Sequence, residues 1–596
     1  MNATTEPARP QVAPAERSAS SGLLLTLASA WIVLAPYATV GITYRRSLVV
    51  QAAIILAVVL AVLAIGLTSR GWLRRVRSAP GTVARGVALY AATAAVAAVV
   101  GLARGNALAD VTGQALAMGL LPLAAVAALG LVGSTCSRAV AAGVFWATVA
   151  ATLLHWVHWV RTLTAPDFDP RLFMANYISP LGIALLATLL GLAIAAASGG
   201  WLRAAAIGGV LSLIAFIVVA STRSLWLVTP LGLAVFMVLV SPTRRRFTAR
   251  AVLGVIGLAA TFGVVIVLAA TWWARQRMNL VPDPIRDAAY WYFPSGASLE
   301  VVPAGGEVGA TYTWRAPPDT HEATLTKPFP VGDRRRYRLQ ATVRVIQAER
   351  GGVTLCLIDD SGAEWARHAL VTGRSPEEAT LEQEFVAPVG VTLARLVATL
   401  SAPTGGEIQV RDVRLRDLGP GLPWPLHRQW QSIRERATSL LAGPGEIVQS
   451  QRTVSVRVAE TRRLLELFGA ADATAVLLGH GLGARYAFEI GGVDDQGNLV
   501  AEHHPNYIHN FYAFLLFKTG VLGTLAVVAA LLLWTVAAVS QVRHAPDSRA
   551  RLYGSAIGAA LLAYALWSIA CPEILDFRFA PLWGFALAGL SPVADR

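Results

Sequence analysis

Three short stretches hold the residue types that could manage a phosphate group or a proton. The first is Ser221-Thr-Arg-Ser224, a polar knot between two apolar runs. Its Arg223 offers a forked, permanently charged donor suited to phosphate oxygens. An arginine at a membrane boundary either faces a cavity or partner, or snorkels to headgroups. Spacing alone leaves both open. The second stretch, Ser455-Val-Arg-Val-Ala-Glu-Thr-Arg-Arg-Leu-Leu-Glu466, has helical spacing and carries Arg457, Arg462 and Arg463. Glu460 and Glu466 are near enough for local pairing, so a solvated, salt-bridged face competes with an anion-binding one. The third is Leu478-Gly-His-Gly-Leu-Gly483, followed by Arg485 and then by His503-His-Pro-Asn-Tyr-Ile-His-Asn-Phe-Tyr512. Glycines 479, 481 and 483 permit a tight turn and close backbone approach. No βαβ context surrounds them, so they are not a dinucleotide fingerprint. The histidines at 480, 503, 504 and 509 invite a zinc hypothesis, but no carboxylate or known ligand spacing accompanies them. Neither metal nor cofactor is expected. A neutral histidine near pH 7 can instead take a proton from a hydroxyl.

The elements that must position these residues are mostly membrane spans. The chain has 596 residues, of which 55% are hydrophobic and 14% charged, with mean hydropathy +0.54. A soluble domain carries about 25% charged residues, and several runs here have the roughly 20 apolar residues that cross a bilayer core. Spans are expected near 22–41, 48–68, 84–102, 115–133, 139–159, 178–198, 203–221, 224–240 and 251–272, and after an interruption near 511–540, 552–570 and 576–592. The run 511–540 contains Lys518 and Gly520 and is too long for one straight span, so a tilted or broken entry is expected. Residues 1–21 read as a polar tail before an uncleaved first helix.

The net charge of +14 would raise the question of nucleic acid in a soluble chain. Here the arginines sort into alternate loops, as the positive-inside rule requires. Arg70, Arg74, Arg75, Arg77, Arg138, Arg203, Arg244, Arg245, Arg246, Arg250, Arg543, Arg549 and Arg551 form the richer set. That places both termini in the cytoplasm and the interruption, about 273–508, outside. Cys136, Cys356 and Cys571 show no CxxC spacing, and whether Cys356 and Cys571 pair is open.

The interruption divides by pattern. Residues 288–418 alternate with period two in runs at 337–345, 353–358, 391–400 and 407–415, separated by turn residues. An antiparallel, jelly-roll-like β-sandwich is expected. Tyr290, Trp291, Tyr292, Tyr312, Trp314, Tyr337 and Trp365 could be platforms for sugar faces or ordinary packing. After Gly419-Pro-Gly-Leu-Pro-Trp-Pro425 a helical pattern resumes from Arg428 to about Leu467, so 425–508 is expected as a helical segment carrying the motifs.

The order of these pieces, ending in His509-Asn-Phe-Tyr-Ala-Phe-Leu-Leu-Phe-Lys-Thr-Gly-Val-Leu-Gly523, resembles the bacterial O-antigen ligase and polymerase superfamily. The likeness covers the membrane portion and 425–596, not the sandwich. It implies a polytopic helical glycosyltransferase of the C type with about 12 spans, in the inner membrane, with its active site on the periplasmic side. The implied donor is a glycan on undecaprenyl pyrophosphate and the implied acceptor is lipid A–core. Arg223, Arg457 and His509 match the family's two arginines and its essential histidine. Substrate contacts would then come from Arg462, His480, Gly481, Gly483, Arg485, His504, Asn510 and Tyr512. Ser224 stands where the family often has Gly, and Thr461 or Phe468 where it has Trp. A polymerase or a protein oligosaccharyltransferase of the same superfamily, and a lipid-linked glycan transporter, are the alternatives. A transporter would show ionisable residues at mid-bilayer, whereas the charges here crowd the rims.

Overall fold

The computed structural model describes residues 14–38, 53–61, 81–129, 133–162, 179–220, 223–240, 452–486, 508–569 and 579–590, strand-forming stretches between 291 and 419, and a few isolated positions. The chain divides into two units. One comprises residues 1–155, 175–262 and 435–596, and the other 156–174 and 263–434.

The first unit is helical. Its elements are α1 (Pro14–Ala38), α2 (Gly81–Ala103), α3 (Leu108–Leu129), most of α4 (Gly133–Thr162), α5 (Leu181–Ala197), α6 (Gly200–Val219) and α7 (Arg223–Leu239). These are followed by α8 (Arg452–Gly469), α9 (Ala473–Leu478), α10 (Phe511–His544), α11 (Ser548–Trp567) and α12 (Ala580–Ala588). Every expected span except 251–272, of which only Leu268 is described, overlaps helix, the second at residues 53–61. Among the described residues, five helices are long and apolar enough to cross a membrane: α2, α3, α6, α10 and Cys136–Trp159 of α4. At 1.5 Å per residue the 23 residues of α2 reach about 34 Å, more than a hydrocarbon core. This is a membrane protein.

Small residues let these helices approach closely, as packing without water between helices requires. Gly86 of α2 receives the buried Trp534 of α10, and a Cβ on Gly584 of α12 would strike the Leu121 carbonyl of α3. Helix α10 is broken where the sequence suggested: Gly520 has φ 67°, outside the helical region. Of the helical pattern expected from Arg428 to about Leu467, isolated positions up to 434 are helical, 435–451 lie outside the described residues, and α8 (Arg452–Gly469) covers the end. Its inward positions are Glu460 and Leu464, while Arg462, Arg463, Leu465 and Glu466 face outward.

The second unit is built of antiparallel strands in two sheets. One has the order β1 (Trp291–Tyr292), β4 (His321–Leu325), β10 (Leu393–Ser401), β7 (Gly351–Ile358), β8 (Glu364–Thr372), with β5 (Phe329–Pro330) also on β10, and the other β2 (Ser298–Pro303), β3 (Ala310–Ala316), β11 (Gly406–Asp417), β6 (Arg336–Gln347), β9 (Ala379–Val386). The four expected runs correspond to β6 (Arg336–Gln347), β7 (Gly351–Ile358), β10 (Leu393–Ser401) and β11 (Gly406–Asp417). Burial along β6 alternates, with Tyr337, Leu339 and Ala341 inside, as a sheet with one covered face demands. Where β11 ends, Asp417 pairs with Arg335 at 3.1 Å, both largely shielded from solvent.

Candidate functional site

His509 lies immediately before α10. Its position is set by Asn510, whose Oδ1 accepts the backbone N–H groups of Tyr512 at 3.0 Å and Ala513 at 3.1 Å. Asn510 is therefore the helix N-cap, satisfying donors the first turn leaves bare. The Tyr512 hydroxyl donates to the Ala565 carbonyl of α11 at 2.7 Å. Both were expected to bind substrate. The structure gives these polar atoms work inside the fold, and in doing so fixes the ring that precedes them.

The partner of His509 is Glu460 of α8. Glu460 Oε2 accepts the His509 backbone N–H at 3.0 Å and stands 3.1 Å from Nδ1. The Tyr486 hydroxyl donates to Oε1 at 2.5 Å. The Glu460 side chain is 4% exposed and that of His509 38%, so the carboxylate is shielded and the imidazole reachable. Burial pushes the Glu460 carboxyl up, and the hydrogen bonds from His509 and Tyr486 outweigh it, leaving it below its usual value. Local pairing along α8 was expected for both glutamates. Glu466 does pair with Arg463, at 3.4 Å, whereas Glu460 turns inward, because its helical face is the one packed against the body of the protein.

Two further contacts link Ser224 to the start of α10. Trp567 Nε1 donates to Ser224 Oγ at 2.9 Å. The next residue, Ser568, accepts the backbone N–H of Phe511 at 2.9 Å. Arg223 itself opens α7. Position 457 lies within α8, three residues before Glu460. Glu460 of α8 thus meets His509 directly, and Ser224 of α7 is linked through Trp567 and Ser568 to the helix that His509 precedes.

The glycine-rich loop does what its sequence permits, but toward the protein itself. Gly479, Gly481 and Gly483 have φ of 79°, 80° and 78°. A Cβ on Gly481 would collide with the Gly101 backbone of α2, and one on Gly479 with the Lys518 backbone of α10. The loop donates from His480 N to Phe517 O, from Gly481 N to Lys518 O and from Leu482 N to Ala97 O. Asn106 Nδ2 in turn donates to the carbonyls of His480 at 3.0 Å and Leu482 at 2.8 Å. Leaving such a buried group bare costs about 1–3 kcal/mol. Gly483 N donates to Gln114 Oε1 at 2.8 Å, and the buried Lys518 ammonium donates to the Ala484 carbonyl. The glycines expected to meet substrate are a docking surface for α2 and α10.

The remaining expected contacts scatter. Arg485 pairs with Asp110 at 2.8 Å. Arg462 is exposed on the outer side of α8. His480 stacks on Phe517 at 4.7 Å between ring centres. His504 lies outside the described residues. Among the described residues no cluster of three His, Cys, Asp or Glu side chains could hold a metal. Sequence reasoning missed the roles of Glu460, Tyr486 and Asn106. Only Glu460 carried a signal, as an acidic residue at an apolar position of its helix. Asn106 lies 374 positions from His480, beyond the reach of any spacing argument.

No family model matches the chain, and no curated protein does. Among solved structures it is similar to the enzymatically active domain of tailspike protein 4 of bacteriophage CBA120, at 13% identity over 24% of this chain and 21% of that one, with a TM-score of 0.20. A structure titled "CBM4 structure and function" is matched at 11% identity over 23% of this chain and 99% of that one, TM-score 0.18. The CBM22-1 xylan-binding domain of Paenibacillus barcinonensis Xyn10C is matched at 12% identity over 22% of this chain and 87% of that one, TM-score 0.17. Likenesses this slight carry no argument about function.

Proposed function

We propose that the chain is an O-antigen ligase-like glycosyltransferase of the inner membrane. It transfers a glycan from undecaprenyl pyrophosphate to a sugar hydroxyl of lipid A–core, at the periplasmic face and with inversion. The observation that carries this reading is the meeting, at His509 and the start of α10, of stretches far apart in sequence: α7 from Ser224 through Trp567 and Ser568, and α8 through Glu460. In the proposed step the acceptor oxygen bonds to the anomeric carbon as its proton passes to His509. The carbon–oxygen bond to pyrophosphate breaks, and its electron pair leaves with the phosphate. Arg223 and Arg457 bear the growing negative charge, each cation being worth about 3 kcal/mol by analogy with oxyanion sites. The strand-rich unit is an accessory, carbohydrate-binding-like β-sandwich in this reading, and the helices complete about 12 spans.

The test is transfer by the purified protein in nanodiscs, using lipid-pyrophosphate-linked glycan with lipid A–core or other acceptors. Transfer that survives chelators and disappears in a folded His509→Ala variant is the expected result. A wild-type protein that transfers to no acceptor, or a His509→Ala variant with ordinary turnover, would sink the proposal.

A further inference from the structure

We infer that Glu460 is the positioning residue for His509, fixing its tautomer and ring, and that Tyr486 holds Glu460 for that task. The activity arm of this inference rests on the glycosyl-transfer reading above; the spectroscopic arm does not. A single oxygen, Oε2, faces both the backbone N–H and Nδ1 of His509, at 3.0 and 3.1 Å. A carboxylate can only accept, so the ring must present Nδ1–H to it, and the lone pair falls on Nε2. Nε2 then takes the acceptor's proton, while the buried negative charge steadies the imidazolium that forms. The acceptor oxygen gains the glycosyl bond, and pyrophosphate leaves with the electron pair.

A shielded carboxylate is costly unless its lone pairs are met. Here the second oxygen is met by Tyr486, the last residue of the clamped loop. That loop is tied to α2 through Ala97, to α3 through Gln114 and to α10 through Phe517 and Lys518. The geometry therefore runs from three helices through Tyr486 to Glu460 and on to the base. A bare structural ion pair would need none of this directionality.

Two readouts separate positioning from mere stability. In protein with ¹⁵N-labelled histidine, the resonances of His509 are assigned by their loss in His509→Gln. At pH 8 the wild type is expected to show the Nδ1–H form, Glu460→Gln to keep it through the amide oxygen, and Glu460→Leu to lose it. In the transfer assay Glu460→Leu is expected to lower kcat about 100-fold with little change in KM, the scale of a displaced general base. Glu460→Gln should fall less and Tyr486→Phe least. Glu466→Gln, altering only the surface pair with Arg463, serves as the control and keeps full kcat. In a His509→Ala background, Glu460→Leu should cost nothing further. A wild-type ring protonated on Nε2, an undiminished kcat in a folded Glu460→Leu variant, or a loss that adds to that of His509→Ala would each overturn the inference. If the tautomers behave as expected while the wild type transfers no glycan, the positioning role stands and the glycosyl-transfer reading falls.

Discussion

A guanidinium grips two phosphate oxygens with two parallel N–H groups, whereas an ammonium is a point charge. If Arg223 and Arg457 carry a leaving pyrophosphate, Lys at either place should lower kcat by at least about tenfold, within the range found for single charge-stabilising donors. Full kcat in one Lys variant would remove that arginine from the chemistry. Acidity probes two other residues. Hydrogen bonds hold Glu460 below the 4.5 of a free side chain despite its burial. Its contribution to stability is present above that value and lost as pH falls through the lower folded one. Burial, with Arg104 nearby, holds His480 below 6.5. The unfolded chain thus takes up a proton first, and stability falls as pH drops below 6.5. The melting temperature in detergent should decline in two stages, one starting near 6.5 and one near 4.5. His480→Phe should flatten the first and Glu460→Gln the second. A profile unchanged by either substitution would contradict these assignments.

At the scale of elements, the loop from Gly479 to Tyr486 is the least forgiving part of the unit. Gly481→Ala forces a positive φ on a side chain, costing about 1–2 kcal/mol, and drives a methyl into the α2 backbone, costing about 1–3 more. A drop in melting temperature with loss of transfer is expected, and an unperturbed variant would show that the loop is looser than its contacts imply. Periodicity made the helices and the β6, β7, β10 and β11 strands legible, because apolar spacing reports directly on which face is covered. The break at Gly520 was legible from excess length. The loop's docking was not, since three glycines announce close approach without naming what approaches. The inward turn of Glu460 was hidden for a related reason. Neighbours three positions away offer a glutamate plausible partners, and only the packing of α8 decides between them and His509.

For the molecule as a whole, Glu460, Tyr486, Asn510 and Tyr512, which hold His509 and the start of α10, belong to the helical unit. Replacing about 288–418 with a short Gly/Ser linker should leave the helical unit folded and monodisperse. Transfer should persist at a reduced rate or with altered glycan-length preference, as product gels would show. A well-folded deletion with no transfer at saturating donor would make the strand-rich unit part of the catalytic apparatus.

The break in α10 also bears on how the protein is made. The carbonyls of Phe517 and Lys518 accept from the loop at His480 and Gly481, and a Cβ on Gly520 would meet the Leu477 carbonyl. The loop leaves the ribosome before α10 does, while α2, its other seat, was inserted hundreds of residues earlier. The α2 side of the joint can close at once, whereas the α10 side must wait until Phe517 and Lys518 have been made. A nascent chain stalled before Phe511 would lack His480's and Gly481's acceptors as well as His509's helix. Placement of His509 is thereby tied to the arrival of α10.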